Sequence, residues 1–289
     1  MATFRLNRHL KTALKIMVSL GALYWVITNI EFREVIRTFK ETNIFWLSGA
    51  LGLFIISKTL AAFRLNRYLK DIGIQLSQIY NLRLYLLGMF YNLFLPGGIG
   101  GDGYKIYLLN KNHEAKGKHI FSAILADRLN GMLALVCIAI VLSLFIQYPP
   151  VYKYFVWLLI PAALLVFYYS LRYIFKSFTG IYYQTTLYSF MVQTAQVICA
   201  LFILFALNMQ EHTLDYIFVF LVSSIVATIP FTIGGLGARE VTFLYGAKLM
   251  GLNIDVSIAL SFSFYLITAF TSFWGIWYHL KGNLARNQQ

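Results

Sequence analysis

Long apolar runs alternate with short charged connections along the whole chain. Six runs have the roughly 20 residues that an α-helix needs to cross a bilayer. They predict spanning helices at 13–30, 44–63, 120–146, 155–175, 185–207 and 256–279. Two other apolar stretches, 79–110 and 216–250, are interrupted by Pro and Gly and then resume. Each of these two predicts a re-entrant hairpin made of a broken helix, so the expected fold is an all-α integral membrane protein.

The two interruptions share one residue pattern. Pro96 and Pro230 lie 134 positions apart. At that spacing the aligned pairs are Gly100 with Gly234, Gly101 with Gly235, Gly103 with Gly237, and Lys105 with Arg239. The same spacing carries the run 120–146 onto the last helix. We therefore predict one polytopic domain over 1–289, built from two repeats at about 1–146 and about 155–289, as in many secondary transporters.

Composition supports the membrane class. The chain has 289 residues, of which 59% are hydrophobic and 12% charged, with a mean hydropathy of +0.68. Soluble domains carry about 25% charged residues. An ordinary soluble enzyme, a disordered chain and a secreted disulfide scaffold are therefore excluded. The net charge of +13 arises mainly from Lys and Arg between apolar runs, which is typical of cytoplasmic loops. Nucleic acid is not an expected partner.

The basic residues also predict the orientation of the chain. Those ahead of the first helix place the N-terminus in the cytoplasm, and the cluster Arg64, Arg67 and Lys70 is expected on the same side, after the second helix. The loops 208–215 and 251–255 contain no Lys or Arg and are expected outside. The first hairpin then enters from the cytoplasm and the second from outside. This predicts inverted repeats in the inner (plasma) membrane, with both termini cytoplasmic.

Each break is followed by a predicted short helix, beginning near Asp102 and near Ala238. A helix N-terminus carries free N–H groups and about half a positive charge. Two such ends inside the membrane would attract an anion. Glycine lets a phosphate approach the backbone closely. The glycines expected to do so are Gly100, Gly101, Gly234 and Gly235, beside the hairpin breaks at Pro96 and Pro230.

Charged residues near the breaks are candidates for substrate binding, because a charge at membrane depth is costly and usually functional. The cations expected to contact phosphate are Lys105, Arg128 and Arg239. The acids expected to balance them or to bind a cationic headgroup are Asp102, Asp127 and Glu240. Asp102 also suits a helix cap. Two pairings stay open, Asp127 with Lys105 and Glu240 with Arg128, as does the alternative that all six residues form structural ion pairs.

Two further lysines, Lys58 and Lys248, are expected near helix ends, with their ammonium groups reaching towards water. The sequence contains no recognisable Ser-His-Asp, Cys-His or metal-ligand set. Gly98 to Gly103 fits G-x-G-x-x-G, but the dinucleotide motif needs a preceding strand, and an apolar membrane run precedes it here. We therefore expect no catalytic residue, no metal and no cofactor.

These motifs resemble a known family. The first break followed by Asp102 and Lys105, the Asp127–Arg128 pair, and the second break ending in Arg239 resemble the flippase-like transmembrane domain of lysylphosphatidylglycerol synthase, the multiple peptide resistance factor. The resemblance covers essentially the whole chain. It implies movement of aminoacylated phosphatidylglycerol between leaflets. The family has Arg more often at position 105.

The resemblance leads to a functional hypothesis. The sequence has no soluble aminoacyl-transferase domain, so we expect no enzymatic activity. We expect a translocase that moves an anionic or phosphate-bearing lipid, aminoacylated in some cases, through a central cavity between the hairpins. The alternatives are a non-catalytic partner of a cell-envelope lipid or glycan synthase, and an intramembrane lipid-modifying enzyme. Candidate partners are a membrane lipid (an anionic phospholipid or a lipid-linked phosphate), a synthase or glycosyltransferase, and a second copy of the chain.

Overall fold

The computed structural model describes residues 42–94, 100–113, 115–146, 156, 158–228 and 237–280. Within these segments the chain forms nine α-helices and no β-strand. The helices are α1 (Ile44–Asp71), α2 (Gln78–Phe94), α3 (Gly100–Asn112), α4 (Gly117–Ser143), α5 (Leu159–Tyr173), α6 (Tyr182–Ala206), α7 (Thr213–Thr228), α8 (Ala238–Met250) and α9 (Ile254–Leu280). A short 3₁₀ helix, Lys176–Ile181, leads into α6. The predicted helix 13–30 lies outside the described residues.

The predicted all-α membrane fold is confirmed. Four helical segments are long and apolar enough to cross a bilayer: Ile44–Asp71, Gly117–Ser143, Lys176–Ala206 and Ile254–Gly275. They match four of the six predicted spans. In the stretch predicted at 155–175, the described residues form α5, an apolar helix of 15 residues. Large apolar side chains such as Ile56 and Val166 are exposed on the outer helix faces, where lipid would cover them.

The first described helix is longer than predicted. It continues past residue 63 to Asp71, and Arg64 lies inside it with only 5% of its surface exposed. The placement of Arg64 in a cytoplasmic loop was therefore wrong. A charged side chain is tolerated inside a membrane helix when it pairs with other groups of the protein. Arg64 meets that condition, as the site geometry below shows.

Both interrupted stretches form pairs of helices. The first pair is α2 and α3, and the second is α7 and α8. The helices after the breaks begin at Gly100 and Ala238, close to the predicted starts. The breaks themselves, with Pro96 and Pro230, lie outside the described residues.

The order of helix lengths recurs along the chain. Helices α1 to α4 have 28, 17, 13 and 27 residues, and α6 to α9 have 25, 16, 13 and 27. Packing also exchanges between the halves: α1 lies against α6, α2 packs against α9, and α7 packs against α4. These features agree with two repeats. Their opposite orientation in the membrane stays a prediction.

Candidate functional site

A central cavity of about 330 Å³ lies among the helices, and every described α-helix except α5 contributes to its wall. This volume is at the lower end of the range for small-molecule sites. The charged side chains that line it are Lys58, Arg64, Lys105, Arg128 and Arg239, with Asp102 and Asp127. Counted over the described residues, five cations and two carboxylates leave a formal excess of three positive charges. Five of the six predicted charged site residues therefore lie together on this wall.

Asp102 binds two of the predicted cations. One of its carboxylate oxygens accepts from Lys105 Nζ at 3.0 Å, and the other lies 3.1 Å from Arg128 Nη1. Neither pairing left open by the sequence is formed. Asn92, and not Asp102, receives the N–H of Gly101 at the start of α3, at 2.8 Å. Both oxygens of Asp102 therefore face cations, and its single negative charge offsets one of the two positive charges.

Asp127 pairs with a residue that the sequence analysis assigned to a loop. Arg64 Nε donates to Asp127 Oδ1 at 2.7 Å, and Arg64 Nη1 donates to Ser189 Oγ at 2.8 Å. The side chains of Arg64 and Asp127 are only 6% and 11% exposed. The pair joins α1, α4 and α6 in the protein interior. Removing one member of such a buried pair costs about 3–5 kcal/mol, because the other charge is left unpaired.

A second layer of polar contacts lies beside this pair. The amide of Asn130 donates to the Tyr68 hydroxyl at 2.8 Å, and that hydroxyl donates to Thr185 Oγ1 at 3.1 Å. All three side chains are buried. This layer joins the same three helices, so the α1–α4–α6 side of the cavity is held by a continuous polar network.

The cation of the second hairpin has a different environment. Arg239 lies over two aromatic rings, with its Cζ 4.8 Å from the Phe264 centroid and 5.7 Å from the Phe220 centroid. Its Nη1 is buried and has no hydrogen-bond partner among the described residues. No described carboxylate lies within ion-pair distance of its guanidinium. Among the described residues, Arg239 therefore lines the cavity without an ion-pair partner.

Glu240, the acid beside it, is turned towards its own backbone. One carboxylate oxygen accepts from the Gly237 N–H at 2.7 Å, and the other accepts from Ser261 Oγ at 3.2 Å. Gly237 has a φ of +83°, a conformation that glycine adopts readily. Glu240 is 4% exposed and is not part of the cavity wall. The structure thus places it as a cap of α8, and it forms no pair with Arg128.

Lys58 is a cavity residue that the sequence analysis placed elsewhere. It lies in the middle of α1, and its placement near a helix end was wrong. Its Nζ is 4.5 Å from the centroid of the Phe54 ring. No described carboxylate lies within ion-pair distance of Lys58 either. The sequence signal for this role was a lysine in the centre of an apolar run, a position that is costly unless the charge is used.

Of the four predicted glycines, Gly100 and Gly101 lie within the described residues. Gly101 is buried where α3 meets α2, and a Cβ there would overlap the backbone of Gly88. Gly88 in turn leaves room for the Lys105 side chain, which a Cβ would meet. Gly100 is half-buried and, like Gly101, is not on the cavity wall. Gly234 and Gly235 lie outside the described residues.

The chain matches the family model described as the lysylphosphatidylglycerol synthase TM region over residues 12–276. Curated proteins give no match. The family match spans most of the 289 residues and both halves of the fold. The four apolar helices and the charged cavity agree with a protein that handles lipid inside a membrane. The chain belongs to the family of lysylphosphatidylglycerol synthase transmembrane regions and is a membrane protein of a lipid-handling family.

Proposed function

We propose that this protein moves an anionic, phosphate-bearing lipid between the two leaflets, with the lipid headgroup passing through the central cavity. The observation that carries the proposal is the excess of three positive charges on the wall of that cavity. Unpaired charge inside a membrane protein is costly, so it is retained where it is used. A phosphate group supplies the missing negative charge and several hydrogen-bond acceptors.

The cations have distinct parts in this proposal. Arg239 is open to the phosphate from the start, because no described carboxylate pairs with it. Lys105 and Arg128 both pair with Asp102, so a phosphate must compete with the Asp102 carboxylate for these two cations. An aminoacyl group on the lipid would bring its own cation, which Asp102 could accept. Arg64 and Asp127 neutralise each other and hold the cavity together.

The family match supports a lipid substrate without naming it. The substrate class is an anionic phospholipid or a lipid-linked phosphate, aminoacylated in some cases. The proposal includes inverted repeats in a plasma (inner) membrane with both termini cytoplasmic. Transport follows a lipid gradient or is coupled to an ion.

The test is a leaflet-accessibility assay in liposomes. Fluorescent phosphatidylglycerol is incorporated in both leaflets, and an impermeant quencher is added outside. Without translocation only the outer-leaflet signal is lost, whereas translocation also removes the inner-leaflet signal. We expect the wild type to translocate the lipid and the Arg128→Gln/Arg239→Gln variant to lose this activity. Arg172→Gln is the matched control, because Arg172 is an exposed arginine of α5 away from the cavity.

Each other result has a definite meaning. If the double variant folds normally and still translocates, the cavity cations are not the binding site. If a panel of labelled lipids, including lipid-linked sugar phosphates, shows no movement, translocation is wrong. Tight co-purification with a synthase or glycosyltransferase would then favour the partner role. Covalent change of the lipid by purified protein would favour an enzyme.

A further inference from the structure

Three phenyl rings lie beside Lys58 and Arg239, the two cavity cations that have no ion-pair partner among the described residues. The centroid of Phe264 lies 5.4 Å from that of Phe54 and 4.8 Å from that of Phe220, with edge-to-face geometry in both pairs. The three rings come from α1, α9 and α7 and are 4% exposed or less. We call Phe54, Phe264 and Phe220 the aromatic platform. Its ring contacts join α1 to α9 and α9 to α7.

The platform holds two cations and no acid. Lys58 lies over Phe54, and Arg239 lies over Phe264 and Phe220. A ring face attracts a cation but does not neutralise it. Both cations line the central cavity. Ser224 Oγ, on the same wall, is also buried without a hydrogen-bond partner among the described residues. Together they form a wall with unused donors for an anion.

Lys58 also borders a second space. An apolar groove of about 180 Å³ runs between α1, α2 and α9. Its lining residues are Ile55, Lys58, Thr59, Leu82, Leu86, Phe270, Thr271 and Trp274. Phe270 and Trp274 are 56% and 61% exposed, so the groove opens on the outer surface of the helices. Among its lining residues Lys58 alone is charged, and Lys58 is also the one residue shared with the charged cavity.

We infer that Lys58 and Arg239 bind the phosphate of a phospholipid whose acyl chain lies in the apolar groove between α1, α2 and α9. The assignment of a lipid rests on the proposed function. The position of Lys58 supports a lipid over a free phosphate, because a phospholipid joins a phosphate to an apolar chain at one point. In this protein the charged cavity and the apolar groove likewise meet at one point, Lys58.

The test compares two probes on purified protein in detergent micelles. Dioleoyl phosphatidylglycerol has both the phosphate and the chains, and glycerol 3-phosphate has only the phosphate. We expect Lys58→Met and Arg239→Met each to weaken the binding of both probes by about tenfold or more, as expected for losing a charge-assisted hydrogen bond. Lys118→Met, at an exposed position of α4, is the control and leaves both affinities unchanged.

The groove is tested with a side chain that fills it. Leu82→Trp is expected to weaken phosphatidylglycerol binding by about tenfold, because apolar contact area is lost. It leaves glycerol 3-phosphate binding unchanged. Leu165→Trp, at an exposed position of α5, affects neither probe. If Leu82→Trp has no effect on the lipid, or affects both probes equally, the groove does not hold the chain.

Stability separates a binding role from a structural role. Because no described carboxylate pairs with Lys58, Lys58→Met should unfold at the wild-type temperature or above it in the absence of ligand. A marked decrease would assign Lys58 a structural role and overturn the inference, as would unchanged binding of both probes. Wild-type protein that binds as expected but translocates no lipid would overturn the proposed function and leave this inference standing.

Discussion

The helix pairs α2–α3 and α7–α8 each carry a cation, at positions 134 residues apart, but the two cations have different surroundings. In the first, Lys105 is 3.0 Å from the carboxylate of Asp102, which also binds Arg128. In the second, Arg239 lies on phenyl rings, and the adjacent Glu240 caps α8. In the first pair of helices a carboxylate therefore contacts the cation directly, whereas in the second the neighbouring carboxylate binds Gly237 N–H and Ser261 instead.

The difference shows that closeness in sequence does not decide which acid neutralises which cation. Residues next to each other on a helix point about 100° apart, so Glu240 cannot readily turn to Arg239. Residues three apart lie on the same face, as Asp102 and Lys105 do. Among the described cavity residues, Lys58 and Arg239 have no carboxylate within ion-pair distance, whereas Lys105 and Arg128 are already bound to Asp102.

The largest expected effect concerns the opposite orientation of the two halves. In a variant without Cys137 and Cys199, a cysteine at Gln210 should react with an impermeant thiol reagent added outside, and a cysteine at Asn112 should not. The expected difference is all or none, because the two positions would face opposite sides of the membrane. Labelling after permeabilisation checks that both cysteines are reactive. The reverse pattern would rule out the predicted orientation.

The next effect concerns the neutral part of the cavity wall. Arg64→Met should lower the free energy of unfolding by about 3–5 kcal/mol, because Asp127 is left buried without its partner. Thermal or denaturant unfolding in micelles measures this loss. Arg64→Met combined with Asp127→Asn should recover much of it, and Arg172→Met is the control. Equal unfolding of Arg64→Met and the control would show that the pair is not structural.

The smallest expected effect comes from a substitution that leaves Lys105 without its carboxylate partner, just as Arg239 has none among the described residues. Asp102→Asn removes the carboxylate that competes for Lys105 and Arg128. We expect the affinity for glycerol 3-phosphate to rise by about tenfold, equivalent to about 1.4 kcal/mol. Asp215→Asn is the matched control, since Asp215 is also an acid in the first turn of a helix but lies away from the cavity. An unchanged or lower affinity would show that Asp102 does not shield the two cations.

Much of the fold could be predicted because the length of an apolar run and the position of Pro and Gly within it directly determine where a membrane helix lies and where it ends. Four spans, the two interrupted pairs of helices and the approximate starts of α3 and α8 followed from length, Pro and Gly alone. The end of α1 did not. Its continuation, from Arg64 to Asp71, is polar in composition, but Leu65, Tyr68 and Leu69 are buried at helical spacing. That periodicity was the available signal, and the charges of the segment obscured it.

The contacts between the cavity residues were harder to predict than the residues themselves. The sequence indicated six charged site residues, of which five lie on the cavity wall, but it missed Arg64 and Lys58. It could not indicate their pairing, because the partner of Asp127 is 63 residues away on another helix. The aromatic platform gave no signal either, since its three rings come from distant parts of the chain and look like ordinary core residues.

The close packing of α2 on α9 has a mechanical consequence. A Cβ at Gly275 would overlap the backbone of Leu86, so these two helices touch without intervening side chains. They belong to different halves, and α7 with α4 forms the corresponding pair. A conformational change that carries each half as a rigid body would have to separate such contacts. Bodies that each combine a hairpin of one half with the last helix of the other would keep them intact.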